Sequence, residues 1–109
     1  SEEARDSLLT NMKLDVALLC PPAVRGDLAA YHHPTRAAWA QTAAEAADKC
    51  LVMVPSQALY AHAPHAFPLP EGNSLITENN LPPHFHHPDV ELIPYISEED
   101  LQQSNGFDY

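Results

Sequence analysis

The sequence predicts an α/β protein with a small βαβ-like first half and a long, proline-rich, irregular second half. Two short apolar runs, at 14–19 and 50–54, flank an alanine-rich segment, and run, helix, run is the pattern of a βαβ unit. Most of the eleven prolines stand at or after Pro55, so the composition changes at mid-chain. The alternative is a mainly α-helical hairpin followed by an extended arm, because residues 14–19 also fit one face of a helix.

The compact unit is expected over residues 1–55 and begins with a helix near 2–11. Ser1 is a suitable cap for this helix because its hydroxyl can accept from a backbone N–H of the first turn. The acidic residues that follow it complement the positive end of the helix dipole. Residues 14–19 are a short run that is apolar apart from Asp15, and periodicity leaves helix and strand both open for them. Residues 23–33 are expected to form a loop. If 14–19 and 50–54 are parallel strands, the connection between them is expected to be right-handed.

The strongest helix signal lies at residues 36–49, where alanine dominates. Thr35 is the expected N-cap, and Trp39, Ala43 and Ala46 or Ala47 are expected to form the packed face. The run that follows, residues 50–54, contains β-branched residues and stops at Pro55, so it is predicted to be a strand.

The second half, residues 56–109, is predicted to be an extended arm guided by its prolines, with a short helix near 97–104. Short strands are expected at 75–77 and 90–93. The arm contains too many large apolar side chains to be a solvated linker, so it needs a surface to lie on. The predicted partner contacts are Phe67, Leu69, Phe85, Ile93, Tyr95, Phe107 and Tyr109.

The charge balance limits the kinds of partner. The chain has five Lys and Arg against fifteen Asp and Glu, a net charge of -10. Nucleic acid and anionic membrane surfaces are therefore not expected as partners, whereas a protein with a basic or apolar groove is. The absence of a long apolar run predicts no membrane insertion. Cys20 and Cys50 adjoin apolar runs and are interpreted as free buried thiols, which favours an intracellular reducing compartment.

A histidine stretch in the second half is the candidate metal site. His84, His86 and His87 stand between prolines and are followed by Asp89. In an extended backbone the rings of His84 and His86 would point to the same side, and imidazole with carboxylate suits zinc or another divalent transition metal. No cofactor other than such a metal is indicated.

Two metal-site families share part of this stretch. His84-Phe85-His86 followed by Glu91 is similar to the first metal motif of cupins, although the bracketing glycines are absent. His87-Pro88 with Ser97 and Asp100 is similar to the zinc motif of JAMM-type metalloproteases, although a phenylalanine stands where the first histidine belongs. The chain is assigned to neither family.

Three functions from different classes follow. The favoured function is a non-enzymatic accessory or interaction subunit whose C-terminal arm packs along a protein partner. The second is a divalent-metal-binding protein or small metalloenzyme centred on the histidine stretch. The third is a small ligand-binding regulatory αβ domain with a pocket where the two apolar runs end at Pro21-Pro22 and Pro55. Nucleotide-dependent enzymes are not expected, because the three glycines are isolated and form no phosphate-binding loop. Enzymatic activity in general stays open but is not favoured, because the sequence shows no catalytic signature.

Overall fold

A computed structural model of the chain describes Glu3 and residues 12–93. The elements are β1 (Leu14–Leu19), β2 (Ala23–Arg25), β3 (Leu28–Tyr31), α1 (Pro34–Ala46), β4 (Ala47–Met53), a 3₁₀ helix (Ser56–Leu59), β5 (His65–Pro68), β6 (Ser74–Glu78) and β7 (Val90–Ile93). Apart from Glu3, the helix predicted near 2–11 lies outside the described residues, as do the helix predicted near 97–104 and the predicted contacts Tyr95, Phe107 and Tyr109.

The strands form two sheets, and the fold is a compact mixed α/β arrangement. A four-stranded sheet has the order β1-β4-β6-β7 with every neighbouring pair parallel. A three-stranded antiparallel sheet has the order β2-β3-β5. Residues 14–19 are therefore a strand, and the parallel pairing of β1 with β4 across α1 confirms the βαβ prediction. The helical-hairpin alternative is wrong for these residues.

The segment 23–33, expected to be a loop, instead contains the β2–β3 hairpin. Its turn contains Gly26, whose φ of 58° lies in the left-handed region that glycine adopts without strain. The small residues of this hairpin are buried, and β3 also pairs with β5 from the second half of the chain. The paired residues of β3 and β5 are 34 to 40 positions apart in sequence, so no local pattern indicates this sheet.

Helix α1 begins and ends earlier than expected. His33 is the N-cap residue and Pro34 occupies the first turn, so Thr35 lies inside the helix. Proline suits this place because the first helical N–H groups have no intrahelical acceptor. The helix ends at Ala46 because Ala47 pairs with Leu14 at the start of β4.

One core lies between the parallel sheet on one side and the helix with the second sheet on the other. Leu19, Val52 and Leu75 contribute from successive parallel strands and are buried. Helix α1 contributes its small residues Ala37 and Ala44, while Trp39, expected to be on the packed face, is exposed. The alanines allow the helix backbone to approach the sheet closely.

Residues 56–93 belong to the same fold as the first half. Strand β6 lies between β4 and β7 inside the parallel sheet, which confirms the strands expected near 75–77 and 90–93. Proline is tolerated in β5 because β5 is an edge strand that pairs only with β3. The helices among the described residues lack the length and apolar character needed to cross a bilayer.

Candidate functional site

The histidine stretch forms the connection between β6 and β7, and it contains a turn. The backbone N–H of Phe85 donates to the carbonyl oxygen of Pro82 at 3.1 Å, and His84 has a φ of 63°. The extended backbone assumed for this stretch is therefore interrupted at His84. The argument that placed the rings of His84 and His86 on one side does not apply to this geometry.

His87 is buried and both of its ring nitrogens have partners. Its Nδ1 accepts a hydrogen bond from the backbone N–H of Asp89 at 3.0 Å, so Nδ1 carries no proton. Its Nε2 then carries the proton and donates to Oδ1 of Asn73 at 2.8 Å. Asn73 is itself oriented by donating from Nδ2 to the carbonyl oxygen of Pro70 at 2.8 Å. His87 thus joins the β6–β7 connection to the turn that precedes β6.

The surroundings of His87 favour its neutral form. Burial lowers the pKa of His87 below its ordinary value because the charged imidazolium loses hydration. The nearby ring of His86 acts in the same direction, whereas the carboxylates of Asp89 and Asp27 oppose it. Protonation of Nδ1 would also put two donors face to face, because the Asp89 N–H already points at this atom.

The lowered pKa of His87 predicts a loss of stability on acidification. The unfolded chain binds a proton at this residue near pH 6.5, whereas the folded chain binds it only at lower pH. The contribution of His87 to the free energy of unfolding is therefore fully present above about pH 6.5. It decreases as the pH falls toward the folded pKa. Urea titrations at several pH values measure the effect of His87→Gln on the free energy of unfolding. The loss relative to the unmodified chain is expected to be largest at neutral pH and smaller at pH 5, where the unmodified chain is itself less stable. His32→Gln, which removes a surface imidazole outside this network, is the control; equal pH dependence of the two variants would contradict the prediction.

The four predicted metal ligands are not brought together as one group. His84 and His86 are exposed, and the side chain of Asp89 accepts a hydrogen bond from the Ser74 hydroxyl. Over Glu3 and residues 12–93, no three His, Cys, Asp or Glu side chains are arranged to hold an ion. Metal binding at these residues stays a prediction, and with this geometry His87 would have to give up one of its two hydrogen bonds to join it.

A cavity of about 480 Å³ lies beside His87. Three loops line it: the β2–β3 turn, the segment between β5 and β6, and the β6–β7 connection. Its titratable side chains are Asp27, Glu71, His86 and His87. Two carboxylates give the cavity an acidic character, which suits ligands with hydrogen-bond donors or positive charge.

The predicted partner contacts divide into two groups where the structure describes them. Phe67 and Leu69 are buried in the chain's own core, and Phe85 packs against that core. The first two are therefore not free to contact a partner, because the core already covers them. The sequence does not show this, because their burial depends on contacts with the β2–β3 hairpin from the first half of the chain. Ile93 is 46% exposed at the end of β7.

The ends of the two apolar runs were expected to form a pocket, and the structure has a cavity at one of them. About 320 Å³ lies at the carboxyl end of β1, with Cys20 and Pro22 in its lining. Pro55, at the end of the second run, does not line it. Both cysteines are free thiols; Cys50 is buried as expected, while Cys20 is exposed.

Comparisons of the chain with protein-family models, with curated proteins and with solved structures found no match.

Proposed function

We propose that this protein is a non-enzymatic interaction subunit that packs the outer face of its four-stranded sheet against a partner protein. The outer face is the one turned away from α1 and the second sheet. The strand register places these apolar residues on it: Val16, Leu18, Leu51, Met53, Ile76 and Ile93. The observation that carries the proposal is the exposure of this apolar face.

Several large side chains of the outer face are about half exposed. The exposed fraction is 55% for Leu18, 52% for Val16 and 47% for Met53. On the inner face, the two alternate residues nearest the carboxyl end of β1 and of β4 are buried. Sheets in which all strands are parallel occur almost only with both faces covered, usually by helices. A contiguous exposed apolar surface is also typical of an interaction site.

The charges on and around the outer face indicate the chemistry of the partner. Glu91 and Glu78 lie on the β7 and β6 side of the face, Lys49 lies on β4, and the whole chain carries a net charge of -10. An apolar surface with an acidic rim suits a partner that presents an amphipathic helix with basic flanking residues. Ile93 lies on this face and leads into residues 94–109, where Tyr95, Phe107 and Tyr109 remain predicted contacts of the same partner.

Photocrosslinking from the outer face tests this proposal. A photoreactive residue at position 18 is expected to crosslink to a basic protein, whereas one at position 28, on the second sheet, is the control. The crosslinked protein is then purified, and its affinity is measured by calorimetry. The double variant Leu18→Lys and Met53→Lys is expected to weaken binding by on the order of 100-fold, the loss typical of hot-spot residues.

Leu28→Lys provides the matched control for that measurement. Leu28 is also exposed, at 39%, but lies on β3 rather than on the outer face. Its variant is expected to bind the partner as the unmodified chain does. Crosslinks from position 18 only to residues 1–11 or 94–109 of the same chain, or only to a second copy, would contradict a separate partner protein.

A further inference from the structure

The cavity at the carboxyl end of β1 shares no lining residue with the outer face. Its lining residues are Cys20, Pro22, Tyr31, His32, His33 and Arg36. They come from the segment after β1 and from the connection between β3 and α1. In open α/β sheets, ligands bind beyond the carboxyl ends of parallel strands, which is where this cavity lies. Its volume of about 320 Å³ suits a compact ligand.

The charge of this cavity differs from that of the chain as a whole. Arg36 is one of only five Lys and Arg residues, and His32 and His33 are two of the seven histidines. Among the described residues that line the cavity, none is acidic, although the chain has fifteen acidic residues. The cavity beside His87, by contrast, has Asp27 and Glu71 in its lining. This distribution favours an anionic ligand here.

The lining also supplies uncharged hydrogen-bond donors. Burial, with smaller contributions from Cys20 and Cys50, raises the pKa of Tyr31 to about 12, so its hydroxyl keeps its proton at neutral pH. Helix α1 has thirteen residues and begins at Pro34, directly after His33. The N–H groups of its first turn lack intrahelical acceptors, and the positive end of the helix dipole points to this side.

We propose that this cavity binds a small ligand bearing an oxyanion, either a carboxylate or a phosphate. Arg36 supplies the anchoring charge through charge-assisted hydrogen bonds. His32 and His33 contribute further donors when protonated, and the Tyr31 hydroxyl supplies a neutral one. The exposed Cys20 thiol lies in the same lining, so a bound ligand shields it from solvent.

The test measures binding of inorganic phosphate and of acetate to the full chain at constant ionic strength. Amide chemical shifts of His32, His33 and Arg36 are followed by NMR, and the rate of Cys20 alkylation by iodoacetamide is measured in parallel. Buried Cys50 is the internal reference for alkylation. Saturable shifts and slower Cys20 alkylation are expected with one anion or both, and which anion acts separates a phosphate ligand from a carboxylate ligand.

Arg36→Gln is expected to weaken anion binding about tenfold, the loss of roughly one charge-assisted hydrogen bond. Arg25→Gln removes the same charge at an exposed position outside this cavity and is expected to leave binding unchanged. Circular dichroism establishes that both variants are folded. Equal binding by the two variants, or no shielding of Cys20 by either anion, would overturn the proposal.

Discussion

Replacing Leu75 by alanine is expected to lower the free energy of unfolding by about 2–5 kcal/mol. Leu75 is completely buried in β6, between Val52 of β4 and Val90 of β7. Truncation removes buried methyl groups and leaves a cavity among strands that backbone hydrogen bonds hold in place. A domain of this kind is stable by only about 5–15 kcal/mol, so the variant loses a large share of its stability. Urea denaturation followed by circular dichroism measures the difference.

Leu18→Ala is the matched control for this substitution. It removes the same atoms from the same sheet, but from the outer face, where Leu18 is 55% exposed. In the isolated chain its cost is expected to be within about 0.5 kcal/mol. A loss as large as that of Leu75→Ala would mean that the chain itself covers the outer face, and would contradict the interaction surface proposed above.

Replacing Asn73 by alanine is expected to lower the free energy of unfolding by about 1–3 kcal/mol. The variant leaves the Nε2 proton of buried His87 without its acceptor. The carbonyl oxygen of Pro70 loses its side-chain donor but keeps the backbone N–H of residue 73. A buried polar group without a partner loses its hydration and gains nothing in return. Urea denaturation at neutral pH, where His87 is neutral, measures the full cost.

Asn73→Asp separates the hydrogen bond from the charge. Aspartate keeps an oxygen that accepts from Nε2 of His87 but adds a negative charge beside the ring, so the pKa of His87 is expected to rise. A histidine loses less stability on acidification the closer its folded pKa lies to its unfolded value. The loss of stability at His87 on acidification is therefore expected to become smaller, and NMR titration of its ring measures the change in pKa.

Asn79→Asp adds the same charge at an exposed position of the β6–β7 connection and is the control. Its His87 titration is expected to follow that of the unmodified chain. If Asn73→Asp left the titration of His87 unchanged, Asn73 would not be the partner of this ring.

The candidate sites are only partly predictable from the sequence. The clustering of His84, His86 and His87 is visible in the sequence, but the partner of His87 is Asn73, fourteen positions away. No local spacing links an asparagine in one turn to a histidine in another. The cavity at the end of β1 was predictable in part, because parallel strands with a connecting helix place a crevice at that edge. The proposed role of Arg36 depends on where α1 begins, which the sequence predicts two residues too late.

The sequence alone predicts those helices and strands that depend on the composition of a short segment. Alanine content predicts most of α1, the apolar run before Pro55 predicts the second half of β4, and short apolar runs predict β6 and β7. Tertiary structure alone decided that 14–19 is a strand, that 23–31 forms a hairpin, and that Phe67 and Leu69 belong to the core. The physical reason is that strand pairing and burial depend on residues distant in sequence, and a strand acquires its buried face only from the sheet that receives it. The exposed outer face has the same origin, since it follows from the order and register of strands that come from both halves of the chain.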